Sequence, residues 1–207
     1  MIVEFAGLPG SGKTTICRCL TAPHLTKTTI PVYQIRMRSA EAKIAWHLLM
    51  FCFSVRPLTL SLFLRGVNLW ALLRCYRPWH QPVVLDQGLV HKTWSVMIDA
   101  RSYSEARLRR LTASLAPFGP ICLVWIDIPL NVAVERIAQR KLGRSRFDRL
   151  PIEEIQDRLS SNSGILEKLV ALYQEITIIK VFRLNGERSP EENAQKIDAL
   201  LRNDQTE

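Results

Sequence analysis

The chain has no apolar stretch long enough to cross a bilayer, which takes roughly 20 consecutive residues. Its most apolar segment, residues 44–55, holds His47 and is cut by Arg56-Pro57, and the run at 58–64 is too short. No transmembrane segment is expected. Cysteines number five (Cys17, Cys19, Cys52, Cys75 and Cys122), and none lies in a C-x-x-C pair, which argues against a zinc site. An odd count in apolar surroundings reads as reduced core thiols, so a cytoplasmic location is expected. No leader segment is expected, since the first residues read as a strand of the domain. No helix-turn-helix, RNA-recognition or zinc pattern is present, so nucleic acid is not an expected partner. The guanine-recognition pattern Asn-Lys-x-Asp is also missing, which disfavours a GTP-driven switch. Acidic residues are scarce, 19 against 28 Lys and Arg, leaving a net charge of +9. That imbalance points to anionic ligands or an anionic surface, with part of it an ordinary solvated face.

What the chain does have is Gly7-Leu8-Pro9-Gly10-Ser11-Gly12-Lys13-Thr14, directly after the apolar run 2–6. The pattern G-x-x-x-x-G-K-[ST] between a strand and a helix start is a phosphate-binding loop. Glycines allow successive backbone N–H groups to turn inward toward an anion. Lys13 is expected to reach the β- and γ-phosphates and the Thr14 hydroxyl to ligate Mg²⁺, with Thr15 beside them on the helix. A nucleotide-binding protein follows, with ATP and Mg²⁺ as the expected ligands.

Five nearly continuous apolar runs are expected as strands, at 2–6, 32–35, 83–86, 121–127 and about 177–184. Continuous rather than alternating apolarity is the mark of parallel strands covered on both faces. Helical stretches separate them, so the fold class is α/β with helices on both faces of a parallel sheet. The whole of 1–207 reads as one domain, without repeats or low-complexity segments.

Residues 44–73 are unusual, being almost uniformly apolar and including Trp46, Phe51, Phe53, Phe63 and Trp70. Helices apolar all round are normally buried. Three readings stand open: a helical cover over the acceptor side of the site, a homodimer contact, or a face resting on a membrane. The first two predict a protein that is discrete in solution without detergent and does not float with anionic vesicles.

The glycine-rich loop, the segment Trp125-Ile126-Asp127-Ile128-Pro129 leading into Arg136 and Arg140, and the strand with its Asn185-Gly186 turn together resemble a known group. They are similar to the P-loop kinases of the nucleoside monophosphate kinase group, in the thymidylate kinase-like branch. The resemblance spans nearly the whole chain but is absent between 36 and 80. It implies a P-loop NTPase fold with a five-stranded sheet in the order 2-3-1-4-5, a helical acceptor-side insertion at about 36–80 and an arginine-rich lid at about 136–149. It also implies adenine against the lid helix and the Asn185-Gly186 loop. Gly7 to Thr15, Arg136, Arg140, Asn185 and Gly186 are thus the expected nucleotide contacts.

Phosphoryl transfer spreads negative charge over the moving group, and preorganised guanidinium groups stabilise it. Arg140 and Arg144 are the expected participants. Asp86, at the end of the third expected strand, would hold a metal water or accept the proton of an acceptor hydroxyl, so it stands with Lys13 among the catalytic candidates and with Thr14 among the metal ligands. Asp127 reads as a structural carboxylate. His91, Lys92 and Trp94 lie just past the same sheet edge as Asp86, and Arg36 and Arg38 follow the second strand. Thymidylate kinases follow the aspartate with an arginine that grips the acceptor phosphate, whereas position 87 is Gln here. The expected activity is transfer of the γ-phosphoryl group of ATP to a small molecule, nucleotide or hydroxyl compound. The alternative is a nucleotide-driven switch or assembly protein, associated with a membrane surface.

Overall fold

The computed structural model of the chain describes residues 2–20, 39–57, 59–73, 83–98, 100–114, 121–140, 147–175 and 179–203. Four strands, β1 (Ile2–Gly7), β2 (Val83–Leu85), β3 (Ile121–Asp127) and β4 (Ile179–Asn185), form one parallel sheet. Their spatial order is β2-β1-β3-β4. A five-stranded sheet was expected, and four strands are what the described residues contain. The expected strand at 32–35 lies outside them, and the remaining four keep the order expected of them.

β1 is buried along its whole length and β3 at every residue but Asp127, as continuous apolar runs between two neighbours should be. Side chains alternate between the faces of a strand. Val3 and Phe5 therefore pack with Ile16 and Leu20 of the α1 region (α1, Lys13–Cys19) and with Ala194, Ile197 and Leu201. The last three belong to α8 (Pro190–Asn203), so α1 and α8 cover one face. Ile2 and Ala6 point the other way, into the larger core. That core includes α4 (Leu89–Met97), α5 (Glu105–Ala113), α6 (Leu130–Ala138) and α7 (Ile152–Gln174).

Two further helices, α2 (Ser39–Ser54) and α3 (Leu60–Leu73), pack on each other, α2 also against α5 and α3 against α4. Ile44, Leu48, Phe51 and Val55, at three- and four-residue steps, are buried, as are Leu62 and Leu69. The other side of both helices is not covered within the described residues. Trp46, Leu49, Phe53, Leu60, Phe63, Leu64 and Val67 are exposed. A helix laid on one side of a domain can bury only the face it turns inward, whatever the composition of the rest. Among the described residues, no helix is long and apolar enough to cross a membrane.

Candidate functional site

The glycine-rich loop leaves β1 and enters α1 through a turn closed by Ser11 N–H donating to Leu8 O at 3.1 Å. Gly10 has φ +88°, and a Cβ there would meet Ala133 O of α6 at 2.5 Å. Position 10 thus accepts only glycine, on conformation and on space together.

Lys13 is folded over this loop. Its Nζ donates to Gly7 O and Leu8 O at 2.9 Å each and to Ser11 Oγ at 3.2 Å. Burial disfavours the ammonium and lowers its pKa to about 8; nearby Arg140 pushes the same way, and Asp86 opposes. A cation held at this cost among carbonyls is poised for a stronger partner, and phosphate oxygens are one.

Thr14 Oγ1 donates to Asp86 Oδ2 at 2.9 Å, with Oδ1 at 3.2 Å. These residues are 72 positions apart and meet because β1 and β2 are parallel neighbours, Glu4 opposite Leu85, so both chain ends emerge at the same sheet edge. That edge is where ligands of open α/β sheets bind.

Glu4 shapes the site from beneath and was missed by sequence reasoning. It is 1% exposed, and its carboxylate accepts the N–H groups of Leu89 at 2.7 Å and Val90 at 3.1 Å. It caps α4 from a neighbouring strand, where Gly88 at the helix start supplies no side chain of its own. The charge-assisted bonds and the positive end of α4 offset the desolvation of the carboxylate. Positions 86–88 are thereby tied to β1. The signal was visible as the one carboxylate inside an otherwise apolar strand. Burial and the charge of Glu4 also raise the pKa of Tyr173, whose hydroxyl lies 3.4 Å from Thr93 Oγ1.

Two cavities flank the loop. One of about 360 Å³ is lined by loop residues with Arg18, Gln87, His91, Trp94, Arg140, Phe147 and Asp148. The other, about 290 Å³, lies between the loop and Arg136, Arg140, Gly186, Arg188 and Pro190. Arg140 borders both. Arg18 and Arg188 were not foreseen, although Arg18 sits one helical turn after Thr14 and so shares its face. Trp94 is 1% exposed, donates Nε1–H to Asn162 O at 3.1 Å and has His91 at 5.3 Å between ring centroids. It is a core residue with an edge on the cavity.

The other expected nucleotide contacts have structural partners. Arg136 Nη1 donates to Gly186 O at 2.9 Å, tying α6 to the turn after β4. Gly186 N–H donates to Asp127 O at 2.7 Å, and the Asn185 side chain accepts Glu187 N–H at 2.8 Å. Asn185 thus shapes its own turn with its side chain, and Asp127 serves the same turn through its backbone. Leu8 is buried, while Pro9, Gly12 and Thr15 line the larger cavity. Arg144, Arg36 and Arg38 lie outside the described residues.

No family model matches the chain, and no curated protein matches its sequence. Solved structures do. Shikimate kinase from Acinetobacter baumannii in complex with shikimate superposes with a TM-score of 0.52 at 18% identity, over 100% of this chain and 95% of that one. The likeness is one of fold. Shikimate kinase from Aquifex aeolicus vf5 gives a TM-score of 0.44 at 17% identity, covering 100% and 98%. The first match shows that the chain shares the α/β fold of that structure.

The donor set suits Mg²⁺. Among the described residues, no group of three or more His, Cys, Asp or Glu could hold a metal alone. Mg²⁺ is typically held by one or two protein oxygens together with substrate phosphates, which is what the Thr14 hydroxyl and Asp86 carboxylate offer beside the loop.

Proposed function

We propose that the chain is an ATP-dependent kinase that moves the γ-phosphoryl group of ATP to a hydroxyl of a small molecule. One observation carries the reading: the glycine-rich loop, with Lys13 and the Thr14–Asp86 pair, separates two cavities that share Arg140. Two substrates need two spaces that meet where the group passes between them. The smaller cavity, beside Gly186 and Arg188, takes the nucleotide, and the larger one, beside Gln87, His91 and Asp148, takes the acceptor.

Lys13 releases the loop carbonyls and turns to the phosphates. Thr14 and Asp86 hold the metal site, and Mg²⁺, when bound, supplies charge neutralisation at the phosphate oxygens. Asp86 or His91 takes the proton of the acceptor hydroxyl. Arg140, on the boundary of both cavities, stabilises the charge of the group in transit. Arg144 shares that role as part of an arginine-rich lid, and Arg136 acts through the Gly186 turn. The single domain 1–207, with 36–80 as the acceptor-side insertion, completes this reading.

Gln87, where a thymidylate kinase-like chain would carry an arginine for the acceptor phosphate, favours a non-nucleotide acceptor within that group. A kinase named for shikimate, sharing this fold, supports the same side of the choice. The test is ADP release from ATP-Mg²⁺ in the presence of shikimate, thymidine monophosphate and a panel of sugars and hydroxy acids. Stimulation by one acceptor, lost in Lys13→Met and Asp86→Asn, is the expected result. Hydrolysis stimulated only by a protein or lipid would replace this reading with a nucleotide-driven switch.

A further inference from the structure

The apolar outer face of the α2–α3 pair has no partner within the described residues, and its chemistry selects one. On α2, Trp46, Leu49 and Phe53 lie three and four positions apart and are 58%, 44% and 50% exposed. On α3, Leu60, Phe63 and Val67 repeat that spacing at 76%, 63% and 46%, with Leu64 beside them at 54%. Each stripe is opposite the one its helix buries, so both look away from the body of the domain. Exposed contiguous apolar surface of this kind marks an interaction site.

Charge decides what the site meets. From residue 42 to residue 85 the sequence holds five Lys and Arg and no Asp or Glu. Lys43 and Arg56 are exposed at either end of α2, and Arg101 stands beside Arg56, with its N–H donating to Arg56 O at 2.8 Å. From α5, packed on α2, Arg107 adds a guanidinium to Met50 O at 2.9 Å, and Glu105 of that helix is already engaged by Arg109. A second copy of the chain would bring the same cations against each other, with Glu41 the one carboxylate in the hairpin sequence 39–73 against Lys43, Arg56 and Arg65. An anionic lipid surface answers them all, and takes aromatic side chains at its headgroup level.

We propose that the α2–α3 hairpin is a membrane-surface dock, lying on an anionic bilayer with Trp46, Phe53 and Phe63 in the interface and Lys43 and Arg56 on the headgroups. This does not depend on the kinase reading. α3 packs against α4, which carries His91 and Trp94 of the larger cavity, so docking holds that cavity close to the surface.

The test uses the full chain and sedimentation with phosphatidylcholine vesicles, alone or containing about a third phosphatidylglycerol, at about 0.15 M salt. The expected result is binding to the anionic vesicles and little to the neutral ones. Trp46→Glu with Phe63→Glu should lower the bound fraction about tenfold or more. Lys43→Glu with Arg56→Glu should do the same through charge, whereas Ile152→Glu, an exposed apolar site on α7, should leave binding unchanged. Circular dichroism checks that each variant is folded, and all five positions are exposed. Light scattering provides the second readout. A wild-type dimer that Trp46→Glu with Phe63→Glu converts to monomer, without vesicle binding, would assign the face to a second copy and overturn the proposal. Equal binding to neutral vesicles, or a monomer that binds neither kind, would overturn it as well.

Discussion

Replacing Lys13 by methionine should change how stability depends on pH, and the structure gives the size of the effect. The ordinary lysine value of 10.5 falls to about 8 in the folded chain, first because the ammonium is buried. A lowered folded value means the protonated group is less favourable folded than unfolded. The resulting penalty is complete below about 8, shrinks as pH rises through that value and is gone above 10.5. Each pH unit of that gap is worth about 1.4 kcal/mol, so the penalty is on the order of 3 kcal/mol, of which about 2 kcal/mol is relieved between about pH 7 and pH 9.5. Lys13→Met keeps the length of the side chain and removes the titration. Urea unfolding of both proteins at the two pH values cancels every other titrating group to first order. The difference in unfolding free energy, wild type minus variant, should rise by about 2 kcal/mol toward high pH. Saturating tripolyphosphate should abolish much of the rise, since its charge favours the ammonium. A difference that stays flat within about 0.5 kcal/mol would refute the burial argument and the poised lysine with it.

Arg140→Ala should lower kcat about 10²-fold with a smaller effect on ATP affinity, as expected for a group that meets charge developed in transfer; steady-state kinetics separates the two. Glu4→Ala leaves the N–H groups of Leu89 and Val90 without their carboxylate and should cost about 2 kcal/mol or more in chemical denaturation. Gly88→Ala should destabilise through the same contact, because a Cβ there falls on the Glu4 side chain. Phe51→Ala, at a buried site, should cost about 3–5 kcal/mol, whereas Phe53→Ala, on the exposed face two residues on, should change stability by about 0.5 kcal/mol or less.

The glycine-rich loop was legible because its chemistry is local: eight consecutive residues carry the turn, the lysine and the hydroxyl. β1 and β3 were legible for a similar reason, since a strand covered on both faces has to be apolar throughout, and 121–127 was bounded correctly at both ends. Composition likewise marked 44–73 as a segment apart. What spacing along one chain could not carry was pairing. Asp86 reaches Thr14 only because β2 is hydrogen-bonded to β1. Glu4 could be seen as a carboxylate out of place, but its partners are backbone groups of a helix 85 positions away, and backbone groups leave no trace in sequence. Arg136 and Arg140, one turn apart, both read as nucleotide contacts, with Arg140 alone of the two a catalytic candidate. The fold gives one a carbonyl to hold and sets the other between two cavities. The hairpin is the clearest division. Both sides of α2 and α3 are apolar, so no periodicity could say which side faces inward; only packing against α4 and α5 decided it, by the plain limit that a helix on the surface of a domain has one face to bury.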